Sequence, residues 1–202
     1  MDLMSLLQSQ LTPEVINQLS QQTGAAPEQT ATAAQGVFST LLGGLAKNAS
    51  NEGGASGILS ALDRDHDGSI LNDVMGLVMG GVQSQGATNG TGILGHILGG
   101  QQQNAAQMLS QTSGVSQNGV MDMMIKLAPM VMGVIGQQNR QQGGMNASAL
   151  SGLLGNAVQT QSENPLMQMA TRFLDKDGDG SAVDDIMGMV GSKLFGSMLG
   201  GK

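Results

Sequence analysis

The sequence predicts an all-α, internally duplicated protein in which each half carries one helix–aspartate loop–helix element. Three observations carry this. Apolar residues recur at spacings of three and four, as in Val15, Ile16 and Leu19, then Val37, Leu41, Leu42 and Leu45, then Met121, Met124, Ile125 and Ala128. No alternating β-branched run is long enough for a strand. The chain also repeats itself: LSQQTGAAPEQ from Leu19 matches LSQTSGVSQNG from Leu109.

The elements follow in order. Thr12-Pro13-Glu14 opens a helix, with proline at the first helical position. Pro27 and Glu28 open the next, which contains AAQGVFSTLLGGLAKN. In the second copy the matching run is MIKLAPMVMGVIGQQN. Each copy continues with a short helix, SGILSAL or PLMQMATRFL. Each then has an aspartate loop and a final Gly-Met helix, VMGLVMGGV or IMGMVGSKLFGSML. The offset between copies grows from 90 to 112 residues, through an insertion around QQNRQQGGMNASALSGLLGNAV. The linker-like QSQGATNGTG, residues 83–92, places the boundary. Residues 1–85 form the first repeat, with its loop at 63–73. Residues 86–202 form the second, with its loop at 175–185. The two are expected to pack as one compact unit. Gln-rich stretches such as GGQQQNAAQ and GQQNRQQGG read as mobile loops.

Composition narrows the function classes. Only 11% of residues are charged, against 40% hydrophobic, so charge-driven disorder is not expected. The core must be built from Leu, Met, Val, Ile and Ala, since there are 16 Met, three Phe and no Trp or Tyr. A net charge of -7 disfavours nucleic acid and anionic membrane surfaces. Without cysteine there is neither disulfide nor thiol chemistry. The start MDLMSLLQSQLTPEV has no basic region ahead of an apolar run, so no secretory signal is read. The longest apolar run, MDMMIKLAPMVMGVIG, is interrupted by Lys126 and Pro129 and reads as too short for a membrane span. A cytoplasmic location is the expectation.

Glycine inside helical runs needs a reason, because each costs roughly 1 kcal/mol against alanine. Gly76 and Gly80, Gly95 and Gly99, and Gly196 and Gly200 stand four apart. Gly133 and Gly136, and Gly152 and Gly155, stand three apart. Such spacing puts two small residues on one face and favours close helix packing.

The aspartate loops concentrate the acids. Of 15 in the chain, nine fall in two short windows, LDRDHDGSILNDV and LDKDGDGSAVDDI. Like charges so close repel, and a hard cation removes the penalty. Carboxylates at alternate positions can wind around one ion, with a glycine allowing the sharp turn. This gives Asp63, Asp65, Asp67, the Ser69 carbonyl and Asp73 as candidate ligands of a first site. The second site takes Asp175, Asp177, Asp179, the Ser181 carbonyl and Asp185, with Asp184 outside the inner set. Calcium is the expected ion, with magnesium as an alternative. Solvated Asp-Gly turns are the competing explanation. Two copies at matching places make it the weaker one.

Both windows resemble the EF-hand, with Leu62 and Leu174 standing where EF-hands carry an apolar residue. They depart from it at position 12, where an EF-hand has a bidentate Glu and this chain has Val74 or Ile186. The nearest carboxylate is Asp73 or Asp185 at position 11, and position 9 is Leu71 or Val183. These are shortened, EF-hand-like loops, and the resemblance implies weaker binding than in sensor EF-hands. More broadly, LDxDxDGS followed by NDVMG or DDIMG, with Gly-Met-rich helices, resembles the bacterial domain-of-unknown-function family 937. That resemblance implies an all-α bacterial protein and supplies no activity.

No catalytic constellation is found. His66 lies inside the first loop, and His96 in GILGHILGG reads as a helix-surface or core residue. There is no G-x-S-x-G elbow and no phosphate-binding loop. The expected function is structural divalent-cation binding, and not enzymatic. A first alternative is a calcium-responsive module in which Met75, Val78, Met79, Ile186, Met187 and Met189 bind a helical partner or a second copy. A metal-dependent hydrolase ranks below both.

Overall fold

Helices start and stop where local chemistry directs them. The computed structural model describes residues 3–65 and 90–174, with backbone alone at 63–65 and 173–174. In order these are α1 (Leu3–Ser9), α2 (Pro13–Thr23), α3 (Pro27–Ala49), α4 (Glu52–Asp65), α5 (Gly90–Leu98) and a 3-10 turn (Gly99–Gln101). There follow α6 (Gln102–Ser113), α7 (Gln117–Gln141), α8 (Ala147–Thr160) and α9 (Pro165–Leu174). All regular structure among the described residues is helical, as the periodicity predicts.

Thr12 caps α2 by accepting the Val15 N–H at 3.4 Å. Backbone hydrogen bonding, and then the Thr12 hydroxyl, hold the Glu14 carboxyl below its ordinary value. The Gln29 side chain reaches back to the Ala26 N–H at 3.2 Å and closes the first turn of α3. Gly24 (φ 70°) and Gly114 (φ 77°) end α2 and α6 in the left-handed region, where glycine carries no Cβ penalty.

Two long helices form the centre. α3 is buried on every face from Gly36 to Ala46, and α7 from Leu127 to Gly136. A helix apolar all round belongs inside a bundle. α3 and α7 pack against each other, and the other helices surround them. Buried hydroxyls within α3 stay satisfied locally: Ser39 donates to Gln35 O at 3.0 Å and Thr40 to Gly36 O at 2.9 Å. Phe38 is fully buried, and Met123, Met124 and Met130 fill space beside aliphatic neighbours.

α7 corrects the sequence reading of that segment. At 25 residues, with a window of mean hydropathy 1.5, it is long and apolar enough to cross a membrane. Neither Lys126 nor Pro129 breaks it. The Lys126 ammonium escapes by donating to the Gln22 side chain on α2. That apolar window is 78% buried in the fold, as expected of a core helix. The Gln-rich stretches are corrected too. Gln102 and Gln103 open α6, and Gln137, Gln138 and Gln141 extend α7. The insertion expected around 137–158 carries a helix of its own, α8.

Proline inside α7 has a consequence. Pro129 has no N–H, so the Ile125 carbonyl loses its partner one turn away. Gly90, the first residue of α5, lies against that oxygen: a Cβ on Gly90 would stand 1.9 Å from it. A glycine Cα–H therefore faces the orphaned carbonyl. Gly54 lies similarly close to the Asn48 carbonyl, at 1.8 Å for an added Cβ. The paired-glycine expectation is corrected in part. Gly133 and Gly136 are buried in α7. Gly99 is a turn residue with φ 55°, and a Cβ on Gly152 would touch nothing within 4 Å. Gly76, Gly80, Gly196 and Gly200 lie outside the described residues.

Two outcomes follow. Gly90→Ala should lower the denaturant midpoint, whereas Gly57→Ala and Gly152→Ala, with open space at the Cβ, should each stabilise by up to about 1 kcal/mol. The depressed Glu14 carboxyl adds stability that is present at neutral pH and lost as pH falls through its folded value. Glu14→Gln should therefore flatten the acid limb of a melting-temperature profile and leave the lowest-pH points unchanged.

Candidate functional site

The helices that lead into the aspartate loops are anchored in the core. Asn51 caps α4 by accepting the Gly54 N–H at 2.7 Å. Ala55, Ile58 and Leu62 then form its buried stripe, and Leu62, just before the first aspartate, is 2% exposed. Asn164 accepts the Leu166 N–H at 3.0 Å at the start of α9, and Pro165 occupies the first helical position. Met167 and Ala170 are fully buried. α4 packs on α3, α7 and α8, and α9 packs on α3.

The loops enter the description only at their edge. Asp63 and Asp65 carry helical backbone in α4, and the described part of α9 reaches Leu174, the residue before Asp175. Asp67, Ser69, Asp73, Asp175, Asp177, Asp179, Ser181, Asp184 and Asp185 lie outside the described residues. So do His66 and the expected Met face at Met75, Val78, Met79, Ile186, Met187 and Met189. Among the described residues no three His, Cys, Asp or Glu side chains gather to hold a metal. His96 is exposed on the last turn of α5, in agreement with a surface histidine.

A cleft of about 590 Å³ lies where the end of α3 meets the corner between α5 and α6. Gly44, Lys47, Asn48, His96, Gln101 and Asn104 line it. Its chemistry is mostly structural. Asn48 Nδ2 donates to the His96 and Ile97 carbonyls at 3.0 and 3.1 Å, satisfying the end of α5. Asn104 Nδ2 donates to Gln101 Oε1 at 3.1 Å. Lys47 sits in the last turn of α3, where positive charge complements the helix dipole, and His96 lies in the last turn of α5. The joint has only a faint sequence signal, the LAKN ending of the first apolar run.

The family model described as "Bacterial protein of unknown function (DUF937)" matches residues 5–138. The chain belongs to this family. The match runs from α1 to near the end of α7, taking in the first aspartate loop and stopping short of the second. The sequence resemblance therefore finds support in the first copy of the loop, while the DDIMG version lies beyond the matched residues. No curated protein and no solved structure matches the chain.

Asn48→Ala should destabilise the α3–α5 joint by about 0.5–1.5 kcal/mol, since the His96 and Ile97 carbonyls lose their donor. Equilibrium unfolding measures it, and a change within error would mean that solvent replaces the amide.

Proposed function

We propose that this DUF937 protein binds calcium as a structural ion in each of its two aspartate loops. One observation carries the reading: the same D-x-D-x-D-G run adjoins a core-anchored helix in both halves. An ion held there would fix the loop to a rigid helix end and neutralise its crowded carboxylates. The chemistry is oxygen ligation without a catalytic step. The ligands would be Asp63, Asp65, Asp67, the Ser69 carbonyl and Asp73, then Asp175, Asp177, Asp179, the Ser181 carbonyl and Asp185.

The first site asks for a local rearrangement. Asp63 and Asp65 carry helical backbone in α4, and positions two apart on a helix face about 200° apart. That stretch must unwind before positions 63 and 65 can face one ion.

Calorimetric titration of calcium into chelator-stripped protein, with magnesium as competitor, tests the proposal. The expected result is two sites tighter than about 1 mM, and stabilisation of about 2.7 kcal/mol per site when free calcium is a hundredfold above its Kd. Asp177→Ala should remove the site in the second loop and leave the other. Absence of heat, with an unchanged melting temperature, would reduce the loops to acidic turns. A rise in dye binding on calcium addition would turn the reading toward an ion-exposed interaction surface.

A further inference from the structure

The described residues carry the same pattern twice, and the copies are threaded through each other. An offset of 90 residues links the αL glycines Gly24 and Gly114 and the helix starts Pro27 and Gln117. It also links buried positions: Met4 with Leu94, Leu19 with Leu109, and Val37 with Leu127. Beyond α7 the offset becomes 112, pairing buried Ala55 with Met167 and Ile58 with Ala170. α8 lies in the segment that accounts for the difference. Thus α1, α2, α3 and α4 correspond to α5, α6, α7 and α9.

Corresponding helices make reciprocal contacts across the halves. α3 packs on α5, α6 and α9, all from the second half, and α7 packs on α1, α2 and α4, all from the first. Single residues show the same exchange. The Gln29 amide lies over Gly114, 2.6 Å from where a Cβ would stand. Gly119, the counterpart of Gln29, lies over Thr23, the neighbour of Gly24, with 3.2 Å from an added Cβ to the threonine Cβ. At the level of helices, Gly36 of α3 admits Leu109 of α6, and its counterpart Lys126 of α7 reaches α2, at Gln22. Residue i of one half meeting j of the other, while j meets i, is the signature of an isologous two-fold contact.

We infer that residues 3–65 and 90–174 are two half-units joined by a homodimer-like interface, and that the obligatory partner of each half is the other half. One buried cluster contains residues of both, including Phe38 and Met123. α8, from the second half, lies on α1, α3 and α4 of the first. Separation would expose the all-round apolar middles of α3 and α7 together. Neither half then keeps a core, and the pair folds as one cooperative unit.

The test uses the full chain with a protease site inserted in residues 83–89, ahead of α5. After cleavage the halves should co-elute at the uncut position. They should melt in one transition whose midpoint rises with protein concentration, unlike that of the uncut chain. Halves that separate on the column, or two concentration-independent transitions, would overturn the inference. A second measurement needs no cleavage. In the intact chain Leu127→Ala should lower the hydrogen-exchange protection of the slowest α3 amides by the same factor as those of α7. Loss confined to α7 and its own half would overturn it equally.

Discussion

Everything described here hangs on the contact between α3 and α7. Both helices are apolar around their whole circumference, so neither can sit at a surface, and each supplies the other with one buried side. The chain has no Trp or Tyr with which to fill a core. It compensates with length and closeness: two helices of 23 and 25 residues, with glycines such as Gly36 and Gly44 set beneath Leu109 and Ile97. Close approach of backbones multiplies small dispersion contacts. Surrounding helices need only a single apolar stripe each, as α4 has in Ala55, Ile58 and Leu62.

Much of this was legible in the residues. The three-and-four spacing of Val37, Leu41 and Leu45 is enough for a helix, and Thr12-Pro13 and Pro27-Glu28 mark real helix starts. Three misreadings have separate causes. Gln-rich runs look like loops because glutamine is polar, yet it is a good helix former and suits the exposed ends of α6 and α7. Pro129 looks like a breaker, yet a buried helix keeps it when another group comes to the freed carbonyl. The insertion looks irregular, although Asn146 caps a helix through the Ala149 N–H. Only the proline is decided by a tertiary contact; the glutamines follow helix propensity and α8 a local cap. The binding chemistry behaved differently: the loops stand out by charge alone, while the Asn48 joint leaves almost no trace, because one amide between two carbonyls looks like any polar helix end.

Belonging to a bacterial family of unknown function sets the frame and leaves the chemistry to the residues. The family match covers α1 to nearly the end of α7, so what the family shares includes the central pair and the helices wrapped around it. α8 and α9 lie beyond the match and rest on helices of the first half of the chain. Calcium, in the reading proposed here, acts at the ends of helices that the frame already holds.

Gly90 and Pro129 are bound together in a way that reaches past stability. A side chain at position 90 would collide with the Ile125 carbonyl, the same group that Pro129 leaves without its helical N–H donor. An amide at 129 would restore that donor and change the setting in which position 90 is judged. The two sites are thus epistatic: the fitness of a change at one depends on the residue at the other. In a lineage of such chains they should be gained and lost as a pair, and a designer who alters α7 alone also changes the setting of α5.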